Sequence, residues 1–97
     1  MIIAQSWIWR QKNTIVFDNI ETLNHDYSDL LASLYAQAGK NMIGKLGVKE
    51  VRVGAGYDDL GVDKYFEKCK DIVKPPKDCY SDAKDKQYLI SSNKKGE

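Results

Sequence analysis

Two clusters of polar side chains are the strongest candidates for a binding site in this chain. Each follows a predicted strand, and their members are Asp18, Asn19 and Glu21 in the first cluster and Tyr57, Asp58 and Asp59 in the second. If the two strands are parallel neighbours, both clusters emerge at one edge of the sheet, where open α/β sheets bind ligands. The alternative is structural: the first cluster satisfies turn backbone, and the second starts a helix. We take the structural alternative as the stronger interpretation.

The residues that hold metals or attack substrates are few. His25 is the single histidine, and Cys69 and Cys79 are the two cysteines. This set lacks the paired spacing of a zinc site, so no metal is predicted. A cysteine nucleophile needs a base beside it, and the sequence does not place His25 beside either thiol. No secretory signal precedes them, so we expect two reduced thiols in a cytoplasmic protein, with a disulfide between them as the alternative.

Length and charge exclude several classes of protein. The 97 residues are enough for one domain, assigned to residues 1–91, and residues 92–97 form a polar tail. The net charge of +1 gives no overall attraction for nucleic acid. No apolar run approaches the roughly 18 residues that a membrane span needs, so no membrane association is expected.

The first 21 residues predict a β-hairpin. The runs IIAQSWIW and TIVFDNIE are rich in β-branched and aromatic residues and flank the polar turn RQKN. Trp7 and Trp9 share one face of the first strand. They either belong to the core, which we favour, or form an aromatic platform at an interface.

A long helix follows, and after it the pattern returns to strand. Residues 27–46 predict a helix with one apolar stripe, made of Tyr27, Leu30, Leu31, Leu34, Tyr35, Ala38, Met42 and Leu46. Gly39 and Gly44 interrupt it, either because the helix backbone approaches the sheet closely or simply as tolerated glycines. Residues 48–54 predict a strand, 62–69 a short helix and 87–90 a final strand. The fold class is therefore α+β, a small mixed sheet with one long helix packed across it.

This order of elements resembles the central and C-terminal part of the acyltransferase superfamily of histone-acetyltransferase-related N-acetyltransferases. The resemblance covers residues 2–91 and is carried by IIAQSWIWRQKNTIVFDNIE, YSDLLASLYAQAGKNMIGKLG and VKEVRVG, followed by DKYFEKCKD and KQYLIS. It implies a partial acyltransferase-like fold without the family's first strands and helices. It also places Tyr65 where some members keep a tyrosine general acid.

The family binds the coenzyme A pyrophosphate at a glycine- and arginine-rich turn before the long helix. Here residues 21–26 have neither glycine nor arginine, and Glu21, Asp26 and Asp29 put negative charge where phosphate would bind. We therefore predict a non-catalytic binding or self-association module without a cofactor, whose partner is a second copy or a segment of a parent protein. The alternative is a fragment of an acyl-coenzyme A-dependent N-acyltransferase that needs another segment or subunit.

Overall fold

The computed structural model describes the backbone of residues 4–22, 25–55, 61–76 and 83–93, and their side chains from Ser6 onward. One α-helix and seven strands occur in these residues. They are β1 (Ala4–Gln5), β2 (Ile8–Gln11), β3 (Thr14–Phe17), β4 (Glu21–Thr22), α1 (Ser28–Met42), β5 (Glu50–Gly54), β6 (Glu67–Lys68) and β7 (Gln87–Ser92). Short 3-10 turns occur at His25–Tyr27, Lys45–Gly47 and Val62–Lys64. The predicted α+β class is confirmed.

The main sheet has five strands in the order β2-β3-β5-β7-β6. Strands β3 and β5 are parallel, and the other neighbouring pairs are antiparallel. The parallel pair requires a crossover, and α1 supplies it between β3 and β5. The carboxyl ends of β3 and β5 therefore meet at one edge of the sheet, as the two-cluster hypothesis requires.

The predicted hairpin is present, with a tighter turn than the four-residue gap suggests. Strand β2 ends at Gln11 and strand β3 begins at Thr14. Only Lys12 and Asn13 therefore form the turn, with Lys12 at φ +54°. The carbonyl of Asn13 accepts a hydrogen bond from the backbone N–H of Lys49 at 2.8 Å. The turn is thereby attached to the start of β5.

A bulge divides the hairpin into two ladders. Two residues separate β1 from β2 on the outgoing strand, whereas three residues, Asp18 to Ile20, separate β3 from β4 on the returning strand. The additional residue breaks the alternation of side chains between faces. Asp18, Asn19 and Ile20 are consequently all buried.

Helix α1 packs across one face of the sheet. Phe17 meets Tyr35 edge to face, with ring centroids 5.1 Å apart, and the apolar core below the helix includes Val51 and Val53. A Cβ added at Gly39 would lie 2.5 Å from Cγ2 of Ile90. This glycine therefore allows a close approach of helix to sheet, which decides between the two explanations that the sequence left open for Gly39.

The helix is shorter than residues 27–46, and its buried face is rotated from the predicted stripe. It ends at Met42 because Gly44 adopts a left-handed conformation at φ +86°. The buried helical residues are Ser28, Leu31, Ala32 and Gly39, whereas Tyr27, Leu30, Leu34 and Leu46 of the predicted stripe are exposed. Small side chains on the contact face bring the backbone close to the sheet, and periodicity based on large apolar residues does not detect such a face.

The second face of the sheet is covered by an extended segment, residues 71–76. Arg52 lies on this face because it alternates with Val51, which points toward the helix. Arg52 donates to the carbonyl of Asp71 at 3.0 Å, and Gln11 donates to the carbonyl of Lys74 at 3.3 Å. Pro75 and Pro76 suit such an extended covering segment.

The short helix predicted for residues 62–69 is mostly wrong. Only Val62–Lys64 forms a 3-10 turn, and Glu67–Lys68 forms strand β6, which pairs antiparallel with β7. Val62 is nevertheless buried in the core. The final strand is confirmed and extends from Gln87 to Ser92.

Candidate functional site

The first polar cluster lies at the carboxyl end of β3 and is largely internal. Asp18 and Asn19 are buried, and Glu21 on β4 is exposed. Oδ1 of Asp18 accepts a hydrogen bond from Nε1 of Trp9 at 3.1 Å. A Cβ on Gly54 would lie only 2.3 Å from the backbone oxygen of Asp18, so the ends of β3 and β5 are in tight contact. A ligand that approaches from solvent would meet Glu21 before the two buried members.

The second polar cluster, Tyr57, Asp58 and Asp59, lies outside the described residues. Its predicted proximity to the first cluster therefore stays a prediction. Strand β5, which ends at Gly54, does lead the chain out beside Asp18. The topology thus satisfies the condition on which the shared-edge hypothesis depends.

The most exposed apolar side chains on the sheet lie at its outer strand. Trp7, just before β2, is 82% exposed and Ile8, the first residue of β2, is 55% exposed. The core interpretation is therefore wrong for Trp7, whereas Trp9 is half-buried and hydrogen-bonded to Asp18. Trp9 lies within β2 and reaches Asp18 at the end of β3, whereas Trp7 precedes β2, which is the edge strand of the described sheet.

The backbone of this strand also presents hydrogen-bonding groups outward. In an antiparallel pair, alternate residues point their N–H and C=O groups toward the partner strand. Gln11 and Thr14, which flank the two-residue turn, face each other as a hydrogen-bonded pair. Farther along the ladder, the backbone N–H of Asp18 donates to the carbonyl of Trp7 at 2.7 Å. Trp7, Trp9 and Gln11 thus point their groups toward β3, and Ile8 and Arg10 point theirs outward. We call Trp7, Ile8 and this outer edge of β2 the apolar edge.

A second group of exposed apolar side chains follows one side of the helix. Tyr27, Leu30 and Leu34 are each about half exposed. Their spacing of three and four residues puts them on a single stripe. The stripe lacks the outward backbone groups of the apolar edge, because helix backbone is satisfied internally.

Tyr65 lies in an open pocket of about 380 Å³ between the 3-10 turn Val62–Lys64 and the helix. Its hydroxyl donates to Oδ1 of Asp29 at 2.6 Å. The bond to the carboxylate, with a smaller effect of desolvation, raises the pKa of Tyr65. A phenol with a raised pKa releases its proton less readily, so this environment disfavours the general-acid role that the acyltransferase resemblance implies.

A pocket of about 350 Å³ on the second face contains Cys69 beside Arg52. Burial raises the pKa of the Cys69 thiol, and this effect outweighs the attraction of Arg52 for the thiolate. Cys69 is a free thiol. Because the thiolate is the nucleophile, a raised pKa makes this cysteine a weak candidate for catalysis.

Arg52 and Gln87 form a buried polar network that sequence reasoning missed. Arg52 makes an ion pair with Glu50, and a second with Asp71 at 3.0 Å. Burial opposes its charge, but the hydrogen bond that Arg52 donates to Glu50 and the surrounding negative charges raise the pKa of Arg52. Gln87 donates to the carbonyls of Val73 and Ala83 and accepts from the backbone N–H of Val73. Nothing in the sequence signals that residues 71–76 cover the face of the sheet on which Arg52 lies.

Metal and membrane sites receive no support from the described part of the chain. Among these residues, no three histidine, cysteine, aspartate or glutamate side chains are grouped so that they can hold a metal ion. The described helix is too short and too polar to cross a bilayer.

Comparison with known proteins returns no relative. No protein-family model matches the chain, no curated protein matches its sequence, and no solved structure matches its fold. The acyltransferase resemblance therefore stays a prediction from the order of elements.

Proposed function

We propose that this chain is a non-catalytic association module that binds a protein partner through the apolar edge. The single observation that carries the proposal is the combination, on one strand, of exposed Trp7 and Ile8 with outward backbone groups. Exposed tryptophan beside a strand edge that pairs with no other described strand is a surface that strand addition by a partner would cover. The partner is either a second copy or a segment of a parent protein.

The chemistry of the remaining sites supports a binding role over a catalytic one. Tyr65 and Cys69 both have raised pKa values, which weakens them as acid and nucleophile respectively. Asp26 and Asp29 occupy the start of the helical region, where an acyltransferase would hold phosphate. The acyltransferase-fragment alternative would need both a different phosphate site and a supplied acid. For the association module we also propose a cytoplasmic location, since Cys69 is a free thiol.

In-cell photo-crosslinking tests the proposal. A photoreactive phenylalanine analogue replaces Ile8 in one variant and Leu30 in the other, since the two side chains are 55% and 54% exposed. We expect discrete crosslinked protein adducts from position 8 and few from position 30. Equal labelling at both positions, or no adduct at position 8, would contradict the proposal.

A further inference from the structure

We propose that the apolar edge pairs with the apolar edge of a second copy of this chain, β2 antiparallel to β2, about a two-fold axis at Ile8. The inference rests on the proposed function, because it names the partner of the same surface. An isologous pair is the simplest way for one exposed strand edge to be covered, since the same patch serves both protomers.

The outward backbone groups limit the registers that are available. Ile8 and Arg10 point their N–H and C=O groups outward, and strand alternation gives Ser6 the same direction. A two-fold pair must match outward residues with outward residues. Along β2 the axis can therefore lie at Ile8, at Trp9 or at Arg10, with Ile8 opposite Ile8, Arg10 or Lys12 of the partner respectively.

Side-chain chemistry selects among these registers. An axis at Arg10 places two guanidinium groups directly opposite each other, which is destabilising. An axis at Trp9 places Ile8 opposite the partner's Arg10. An axis at Ile8 places Ile8 opposite the partner's Ile8 and Trp7 opposite the partner's Trp9, so that exposed apolar side chains meet apolar ones twice.

Charge at the ends of the strand agrees with the axis at Ile8. In that register Arg10 lies opposite the partner's Ser6, and the two Arg10 residues are four positions apart, about 14 Å along the strand. The guanidinium of Arg10 is also held within its own chain, by the carbonyls of Lys12 at 2.7 Å and Leu46 at 2.6 Å. It does not need to move for the pair to form.

The other edge of the main sheet is less suited to pairing. Strand β6 has only two residues, Glu67 and Lys68, and both are charged and exposed. Short charged edges resist strand addition. The choice of β2 over β6 thus follows from length and charge together.

The exposed area is small for a protein interface, which is typical of weak and transient association. With 82% of Trp7 and 55% of Ile8 exposed, the apolar side-chain area available is roughly 300 Å² per protomer, given about 250 Å² for a whole tryptophan. Backbone pairing adds to this area, but the total stays below the roughly 800 Å² per partner of a standard interface. We therefore expect a reversible dimer that forms at concentrations on the order of tens of micromolar or above.

Cysteine crosslinking tests both the partner and the register. Ile8→Cys and Arg10→Cys are made separately in a Cys69→Ser, Cys79→Ser background. Each variant is oxidised at a protein concentration near that at which the dimer is expected to form. In a hydrogen-bonded antiparallel pair the Cα atoms are about 5.5 Å apart, within the roughly 4.4–6.8 Å that a disulfide spans. Ile8→Cys should therefore give a covalent dimer, and Arg10→Cys, at about 14 Å, should give at least tenfold less.

A mixed sample and a helix control complete the experiment. Equimolar Ser6→Cys and Arg10→Cys should crosslink to each other, because the register places them opposite. Leu30→Cys, at a position whose wild-type side chain is about as exposed as that of Ile8, should give no covalent dimer. Circular dichroism of each variant checks that it folds, and sedimentation of the uncrosslinked background checks that the dimer exists without the disulfide.

The failures of the two proposals are distinguishable. A background protein that stays monomeric at all concentrations, or a crosslink at Arg10 or Leu30 in place of Ile8, would overturn the second-copy pairing. If position 8 still gives adducts with another protein in cells, the proposed function survives that result. If position 8 gives no adduct in cells either, both proposals fail.

Discussion

Gln87 is a single residue on which much of the second face depends. Its side chain is 0% exposed and holds Val73 by both backbone groups, and it accepts a further hydrogen bond from Arg52 at 2.9 Å. Its amide thus takes the place of a neighbouring strand for the extended segment 71–76. A buried polar side chain of this kind stabilises only while all its partners remain satisfied.

Replacing Gln87 with alanine should therefore be costly. The variant leaves the backbone groups of Val73 and a donor of Arg52 without partners, and we expect a loss of about 3 kcal/mol in the free energy of unfolding. The matched control is Gln37→Ala on the exposed side of the helix, where the amide bonds only to Asn41. Urea denaturation of both variants checks this; a loss below about 1 kcal/mol at Gln87 would contradict the role assigned to it.

Tyr65 offers a prediction in pH. Its hydrogen bond to Asp29 raises its pKa above the ordinary value of about 10. The stabilising contribution of this bond is fully present below pH 10 and is lost as pH rises through the raised pKa. Asp29→Asn should move the pKa of Tyr65 back toward 10.

Absorbance titration near 295 nm measures this shift. Because burial also raises the pKa of Tyr35, the signal of Tyr65 is taken as the difference between each protein and its Tyr65→Phe counterpart. A Tyr65 that titrates equally with and without the Asp29 carboxylate would show that the hydrogen bond is absent in solution.

At the scale of elements, the sequence is sufficient for strands β2, β3, β5 and β7 and insufficient for strand β6 and for part of the helix face. Period-two alternation of side chains identifies β2, β3 and β5, because edge strands and central strands both display this alternation. The turn signal marks the boundary between β2 and β3. The helix face is predicted only in part. Leu31 of the predicted stripe is buried and Tyr35 and Met42 pack against the core, whereas the buried Ser28, Ala32 and Gly39 are too small to show apolar periodicity. The segment 71–76 is missed because its place depends on Arg52 and on Gln87, which lies far away in the chain.

The close approach of helix to sheet gives a prediction with the opposite sign to helix propensity. Alanine is preferred to glycine inside a helix by about 1 kcal/mol. Gly39→Ala should nevertheless destabilise the protein, by about 1–3 kcal/mol, because the new methyl group overlaps Ile90.

A double-mutant cycle separates propensity from overlap. In an Ile90→Ala background the overlap is removed, so Gly39→Ala should there be neutral or stabilising. Thermal unfolding of the four proteins gives the coupling. If Gly39→Ala stabilises the parent protein, the helix is farther from β7 than the structure places it.

The beginning of the helical region gives a prediction about coenzyme A. Asp26 and Asp29 are exposed in its first turns and place negative charge at the N-terminal end of the helical region. Calorimetric titration with acetyl-coenzyme A should show no binding, and an Asp26→Asn, Asp29→Asn variant should behave in the same way because the glycine turn is also missing. Micromolar binding by the parent protein would favour the acyltransferase fragment.

At the scale of the whole molecule, described elements cover both faces of a small sheet, and no described strand pairs with the outer edge of β2. The helix covers one face, the segment 71–76 covers the other, and the exposed apolar side chains of the sheet are concentrated at its outer strand. The sequence predicts the hairpin and the two tryptophans, but it does not show which tryptophan is exposed. That outcome depends on the bulge, which turns Asp18 inward to meet Trp9 and leaves Trp7 outside.

Amide hydrogen exchange at β2 tests the role of the apolar edge most directly. The N–H groups of Ile8 and Arg10 point outward, whereas those of Trp9 and Gln11 bond to β3. Between about 5 µM and about 500 µM protein, exchange at Ile8 and Arg10 should slow about three- to sixfold, as mass action gives for a dimer that forms at tens of micromolar, while exchange at Trp9 changes much less. Equally fast exchange at Ile8 in dilute and concentrated protein would contradict the pairing of this edge with a second copy.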